Sequence, residues 1–380
     1  MINFVHVSDT HLGGSNFKLI QREDDFLDAF RQVIDYCVKE KPEIVIHSGD
    51  LFDRGKPGNK VLLFTIKQLK RLKAEAIPLF IIPGSHDMSV DGTFITVLEK
   101  VGLLTNIAKP ENFKQQGGQV IMKGEEYHDF ILYGIPGRRA NISRIYKSLR
   151  PSESNKFRIF MFHHIITNVK GAEFFSDIPI SLLPKGMDYY AGGHWHEHEE
   201  FTYNGKPVIY PGSTEFCDID TMEREKERGF IHYKGRPSFI KLKTRKVIVK
   251  KINCNNLSPE QATNKCLNSL DGHEGLIILK LYGTLSTGRR SDIDSVLIRE
   301  RAVNNGYLHC NVRISNLCNP DEVTVNFGSK TVLEIEDEFL KKKNYNNDEL
   351  MLARQLINLL GNNLKPVELS KTLDEVSKLL

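Results

Sequence analysis

The sequence predicts an α/β fold, followed by a small α+β domain and a C-terminal helical segment. Three observations carry this. Short apolar runs alternate with helical patterns through the first 215 residues. A strand–helix–strand pattern follows within roughly 90 residues, over 233–316. Three further helical patterns, at 331–343, 347–360 and 367–380, lie beyond a polar stretch at 317–330. The expected domains are therefore 1–232, 233–316, a linker at 317–330, and a helical segment at 331–380.

The elements read in order. Apolar runs at Ile2–Val7, Ile44–Ile46, Leu79–Ile82, Phe130–Ile135, Ile159–Phe162 and Val208–Tyr210 predict strands. Between the first two, Phe26, Phe30, Val33, Ile34 and Cys37 recur at three- and four-residue spacing, which predicts an amphipathic helix. Residues 58–74 and 93–104 read as further helices. Their apolar faces at 61–69 and 94–104 would serve equally as core or as a dimer contact. Between 222 and 252 lie Arg224, Lys226, Arg228, Lys234, Arg236, Lys241, Lys243, Arg245, Lys246, Lys250 and Lys251. Two readings stay open for them: a lysine-guarded strand edge, or a surface that tracks phosphates. In the second domain, Leu276–Tyr282 predicts a strand, 291–303 a helix, and Leu308, Cys310, Val312 and Ile314 an alternating strand. Leu369, Leu373, Val376 and Leu380 form one apolar stripe in the last helix, which suits docking on this chain or on a partner.

Composition excludes several classes. The chain has 380 residues, 40% hydrophobic and 26% charged, as expected of a globular protein. No apolar run reaches the ~20 residues of a membrane span, and no signal peptide is visible. Lys+Arg number 52 against 48 Asp+Glu, a net charge of +4, so composition alone does not show nucleic-acid binding. Six scattered cysteines form no Cys-x-x-Cys, which argues against a zinc ribbon or disulfide scaffold and fits a reducing cytoplasm.

The histidines are informative. Of 13, His11, His86, His163, His164, His194 and His196 sit in or beside turns rich in Gly and Asp. The polar motifs follow apolar strands: Ser8-Asp9-Thr10-His11, Gly49-Asp50, Gly84-Ser85-His86-Asp87, His163-His164 and Gly193-His194-Trp195-His196. In open α/β sheets, ligands bind at the carboxyl ends of strands, so these motifs should converge on one edge. Carboxylate and imidazole together suit Mn²⁺, Fe²⁺ or Zn²⁺. Asp-x-His and His-x-His each place two ligands on one side of a loop, and Asp50 can bridge two ions. Metals roughly 3.5–4 Å apart can clamp a phosphoryl group and activate water. His6 and His47 lie within strands and read as hydrogen-bonded core residues. Arg138-Arg139 reads as a solvated turn, with a phosphate contact as the alternative, and Trp195 as a residue that packs and orients two ligands, with base stacking as the alternative.

These motifs, in this order, resemble those of calcineurin-like metallophosphoesterases. More narrowly, Ser8-Asp9-Thr10-His11-Leu12-Gly13, Gly49-Asp50-Leu51-Phe52-Asp53 and Tyr210-Pro211-Gly212-Ser213-Thr214-Glu215 resemble the SbcD/meiotic-recombination-eleven DNA repair nucleases. The resemblance implies a sheet sandwich flanked by helices. It implies an exo- and endonuclease that hydrolyses DNA phosphodiesters with two Mn²⁺ ions, or Mg²⁺, in double-strand-break repair. Asp9, His11, Asp50 and His196 would hold one metal, and Asp50, His163 and His194 the other. His86 would be catalytic, stabilising the transition state or protonating the leaving oxygen. The partners implied are DNA, an SMC-like ABC ATPase of the Rad/SbcC type bound by the helical segment, and a second copy in a homodimer. The location implied is the cytoplasm, about the nucleoid. Rival readings are an enzyme for a small phosphoester and a catalytically weakened DNA-binding scaffold.

Two departures stand out. The family's Gly-Asn-His-Asp is here Gly84-Ser85-His86-Asp87, and the Asn amide oxygen would be the second metal's ligand. Where many members carry a histidine, this chain has Asp53, a candidate partner for a ligand histidine. A hydroxyl is a shorter donor than an amide, so the second metal should bind weakly through Ser85. Ser85→Asn is expected to tighten Mn²⁺ binding in titration calorimetry and to raise activity. Unchanged affinity and activity would refute the assignment.

Overall fold

The computed structural model describes residues 2–88, 93–137, 141–169, 177–224, 227–272 and 274–320. The expected helices of 331–380, the linker from 321 onward and Arg138-Arg139 lie outside the described residues. The chain divides into two compact units, Met1–Val247 and Ile248–Leu380.

The first unit is built on two six-stranded sheets. One runs Pro237–Lys241, Gly229–Lys234, Asn3–Val7, Ile44–His47, Leu79–Ile81, Thr105–Asn106. Its last four strands are parallel, and Gly229–Lys234 joins Asn3–Val7 antiparallel. The other runs Glu199–Tyr203, Lys206–Tyr210, Tyr189–Gly192, Phe157–Phe162, Phe130–Ile135, Glu125–Tyr127. Its four central strands are parallel and its two edges antiparallel. Parallel strands covered on both faces read as continuous apolar runs, which is how these were legible.

The pleat sorts side chains into three layers of core. Phe4, Ile44, Ile46 and Phe80 face Phe130, Ile159, Met161 and Tyr189 between the sheets. Val5, Val7 and Val45 face outward onto Phe30, Val33, Ile34, Leu69 and Leu72 of the helices Ile20–Glu40 and Asn59–Ala74. Tyr133, Phe160, Phe162 and Tyr210 face outward on the other side, against Ile142 and Tyr146 of the helix Ile142–Ser148. The sandwich with helices outside is therefore the architecture of this unit.

The boundary differs from the expected 232. Pro237–Lys241 pairs antiparallel with Gly229–Lys234, aligning Ile240 with Phe230, so 233–247 extend the first sheet rather than start the next domain. Arg245 fastens the end of this stretch with two bonds to Asp25, at 2.7 and 2.8 Å.

The second unit has a sheet of Val247–Asn253, Leu276–Thr284 and His309–Cys318, the last two parallel. Helices Pro259–Asn268 and Ser295–Asn304 bury Ala262, Cys266, Ile298 and Ala302 with Ile277, Leu279 and Cys310. The sequence reading missed Pro259–Asn268. Its N-terminal signal is polar, a capping box between Ser258 and Gln261.

His6 sits between the sheets with Phe4. Its ring nitrogens meet Tyr189 Oη at 3.0 Å and Ser48 Oγ at 2.9 Å. His47 Nε2 meets Thr10 Oγ1 at 3.0 Å. Burial, with the field of His47, holds His6 well below the usual imidazole range, and burial pushes His47 down to about 3. In the unfolded chain both titrate near ~6.5. The unfolded state thus binds more protons below that pH, so stability is full above it and is lost as pH falls. The metal-free protein is expected to melt at progressively lower temperature as pH drops from 7 to 5. A flat profile would mean the buried imidazoles are not held neutral.

Candidate metal centre

Each motif begins where a parallel strand ends. Asp9 and His11 follow Asn3–Val7, and Asp50 follows Ile44–His47. Ser85 and His86 follow Leu79–Ile81, His163 follows Phe157–Phe162, and His194 and His196 follow Tyr189–Gly192. Asp9, His11, Asp50 and His194 all take left-handed backbone, with φ of 50, 42, 57 and 83°. Such strain gathers where function demands it. The loops also approach unusually closely. A Cβ on Gly84 would lie 2.1 Å from Asp50 Oδ1, and one on Gly193 would lie 2.2 Å from the Ser48 carbonyl oxygen.

Asp50 is the hub. Its Oδ2 lies 3.0 Å from His163 Nε2, 3.4 Å from Ser85 Oγ and 3.9 Å from His11 Nε2. Its Oδ1 accepts the His86 backbone N–H at 2.7 Å. His163 Nδ1 bonds the Ser48 carbonyl at 2.8 Å, which turns Nε2 toward Asp50. Asp9 accepts the His194 N–H at 3.0 and 3.1 Å. His11 Nε2 faces His196 Nε2 at 3.2 Å. Donor atoms of Asp9, His11 and Asp50, and separately of Asp50, His163 and His194, lie within 4.8 Å of one another. The predicted ligands are therefore brought together around Asp50, Ser85 through its hydrogen bond to that carboxylate.

His86 is exposed at the rim, its ring edge-on to His11 with centroids 4.8 Å apart. Its Nδ1 bonds the Asp53 carbonyl at 2.8 Å. Asp53 thus acts on His86 through its backbone, while its carboxylate is 3.7 Å from His11 Nδ1, beyond hydrogen-bond reach. His164 is buried with Nδ1 on Tyr146 Oη at 3.1 Å, off the cluster. Trp195 packs on the outer core of the second sheet.

The electrostatics centre on two buried carboxylates. Burial works against the Asp50 charge, but His163, by field and hydrogen bond, holds its carboxyl well below the usual range. Burial raises Asp9 against the pull of His163 and His196. His163 is pushed up to about 10, burial opposing and Asp50 prevailing. Burial and His163 push His194 down to about 3. Burial and His196 hold His11 well below the usual imidazole range. Carboxylates mixed with imidazoles, of which His11 and His194 are held neutral, two ring nitrogens converging on one point, and a buried His11 Nδ1 with no hydrogen-bond partner form a donor set that fits divalent cations.

Supporting residues escaped the sequence reading. Asp87 accepts the N–H groups of Leu51, Phe52 and Gly84 at 3.2, 3.0 and 2.8 Å, tying two motif loops together. Burial and Asp50 push its carboxyl up to about 6. Asp218 contacts His196 Nδ1 at 3.3 Å while accepting the Thr221 N–H at 2.7 Å. Arg22 meets Glu215 Oε1 and the Phe216 carbonyl, each at 3.0 Å, under the 210–215 motif. A cleft of about 490 Å³ beside the cluster is lined by His194, Trp195, His196, Asp218 and Arg224.

The geometry can be set against known proteins. The calcineurin-like phosphoesterase description matches residues 2–198, just over half the chain. The chain belongs to the calcineurin-like phosphoesterase family. It is therefore a phosphoesterase enzyme, of a family that works with divalent metals. Within that family it falls in the Mre11 group. It is 33% identical over 271 residues to the DNA double-strand break repair protein Mre11 of Sulfurisphaera tokodaii, covering 67% of each chain. The Saccharolobus solfataricus protein of that name is 33% identical over 241 residues, or 60% of this chain and 58% of that one. The Sulfolobus acidocaldarius one is 27% identical over 383 residues, or 94% and 95%.

A shared carboxylate makes a sharp test. Asp50→Asn removes one negative charge from both donor groups. Mn²⁺ at ~100 times its dissociation constant should stabilise the wild type by about 2.7 kcal/mol. The variant should show little or no shift in melting temperature. A full shift would show that Asp50 is not a common ligand.

Proposed function

We propose that this phosphoesterase is a two-metal DNA nuclease, exo- and endonucleolytic, acting in double-strand-break repair. The observation that carries the reading is the gathering of Asp9, His11, His163, His194 and His196 around Asp50, with His86 exposed at its rim. The names of the Mre11 relatives supply the substrate class. Asp9, His11, Asp50 and His196 would hold one Mn²⁺ or Mg²⁺; Asp50, His163, His194 and Ser85 would hold the other. Bound there, the cations supply Lewis acidity to a phosphate and lower the pKa of water toward ~7.

The chain's own residues do the rest. His163 keeps Nε2 on the site because Ser48 fixes Nδ1. His86, with Nδ1–H donated to the Asp53 carbonyl, turns Nε2 to the substrate, and as the imidazolium it would give its Nε2 proton to the leaving oxygen and be left as the neutral Nδ1–H tautomer. Asp87 keeps the Asp50 and His86 loops in register.

The partner assignments belong to the same reading. Leu63 and Val97 on the helices Asn59–Ala74 and Phe94–Lys100, and Val101 capping the second, are 67, 49 and 58% exposed, while Val61, Leu69, Ile95 and Leu98 are core. These helices thus have both an inner apolar face and an outer one, and the outer one suits a second copy of the chain. The 331–380 segment would bind an SMC-like ATPase. No helix among the described residues is long and apolar enough to cross a membrane, which accords with work on DNA inside the cell.

End-labelled duplex and single-stranded DNA, incubated with Mn²⁺, Mg²⁺ or chelator, test the reading. Cleavage with Mn²⁺ that chelator abolishes is the expected result. Release of phosphate from small esters with intact DNA would favour the small-substrate enzyme. His86→Ala is expected to cut cleavage about 10²–10⁴-fold, the scale of general acid catalysis, while metal and DNA binding persist. Lost metal binding would make His86 structural instead.

A further inference from the structure

Cys217 lies where no catalytic assignment has used it. Donor atoms of His11, His196 and Cys217 lie within 4.8 Å of one another. The two imidazoles present Nε2 atoms 3.2 Å apart, so sulfur adds a third donor to a convergence that already exists. The thiol is partly buried and free. It donates to the Glu215 carbonyl at 3.4 Å, a weak bond because a thiol is a weak donor.

The backbone around it is fixed from several sides. Asn16 Nδ2 donates to the Cys217 carbonyl. Arg22 holds the preceding carbonyl, that of Phe216, at 3.0 Å. The following residue, Asp218, contacts His196 itself. The sulfur is thus kept beside His196 by its own neighbours in sequence.

We propose that Cys217 joins His11 and His196 as a soft donor and draws a thiophilic cation of the Zn²⁺ class to these two imidazoles at the edge of the first metal position. The proposal rests on the metal-centre reading above and deepens it. The two positions are then chemically unequal. The second has Asp50, His163 and His194 with a Ser85 hydroxyl, a set of oxygen and nitrogen alone. Sulfur favours Zn²⁺ and Co²⁺ strongly over Mn²⁺ and Mg²⁺. A coordinating cation takes the thiolate form, so the thiol proton leaves to solvent on binding.

Cobalt(II) reports the donor set by absorption. One equivalent of Co²⁺ added to the full chain in thiol-free buffer should give visible d–d bands together with a near-ultraviolet sulfur-to-cobalt charge-transfer band. Cys217→Ser should lose the charge-transfer band and keep d–d absorption. Cys318→Ser, altering the other partly buried cysteine, should keep both. Zinc-edge X-ray absorption of the wild type needs no variant, and should show one Zn–S distance near ~2.3 Å. A charge-transfer band that survives Cys217→Ser, or an oxygen-and-nitrogen shell alone in the wild type, overturns the proposal while leaving the metal centre standing. No binding of Co²⁺ or Zn²⁺ by the wild type overturns the metal centre and the proposal with it.

Discussion

A carboxylate taken out of water must meet positive charge or take up a proton. Asp50 is 1% exposed and Asp9 0%, and no lysine or arginine reaches either among the described contacts. Asp50 meets imidazoles instead. One of them, His163, takes on the cationic role, which is why its pKa rises to about 10 while His194 beside it falls to about 3. A cluster that contains two buried acids and only neutralisable bases is arranged for a cation supplied from outside. The fold pays for this arrangement by placing four of its donors on left-handed backbone.

The rest of the first unit can be understood as what holds that arrangement still. Strand ends deliver the donors, but strands alone do not fix loops. Asp87 spends its carboxylate on three N–H groups and fastens the Asp50 loop to the His86 loop. On the opposite side, Arg22 is fully buried between Glu215 and Asp25, and Asp25 also holds Arg245. Removing one member of such a buried pair typically costs about 3–5 kcal/mol, because its partner stays behind uncompensated. Arg228 adds a bond to the His196 carbonyl and one at 3.2 Å to Ser213 Oγ. The loop carrying Cys217 and Asp218 is thereby braced under His196.

What the sequence made legible follows from this division of labour. The strands were readable because Val5, Val45, Phe160 and their neighbours are buried on both sheet faces and so form unbroken apolar runs. The ligands were readable because Asp-x-His and His-x-His are short-range patterns set by one loop each. Asp218 and Arg22 were not, because their partners lie 22 to 194 residues away and an isolated charged residue looks like surface. The boundary near 232 misled for a similar reason. Phe239 and Ile240 alternate with polar residues like the strands that follow, and only their pairing with Ile231 and Phe230 assigns them to the first sheet.

The basic residues of 222–252 show the limit of counting charge. Arg224 pairs with Glu197 at 2.5 Å, Lys234 with Glu40 at 3.4 Å, Lys241 with Glu227 at 2.6 Å, and Lys250 with Asp271. Arg228 is buried, and Arg245 is committed to Asp25. Part of the apparent stripe is therefore paired within the chain, and neither the guarded-edge nor the phosphate-tracking reading follows from its count alone. At the donor cluster, bound cations would add charge that no residue count contains. On the proposed reading, metal loading and substrate binding would be one electrostatic event: whatever fixes cations beside Asp50 would also fix where a phosphodiester can rest.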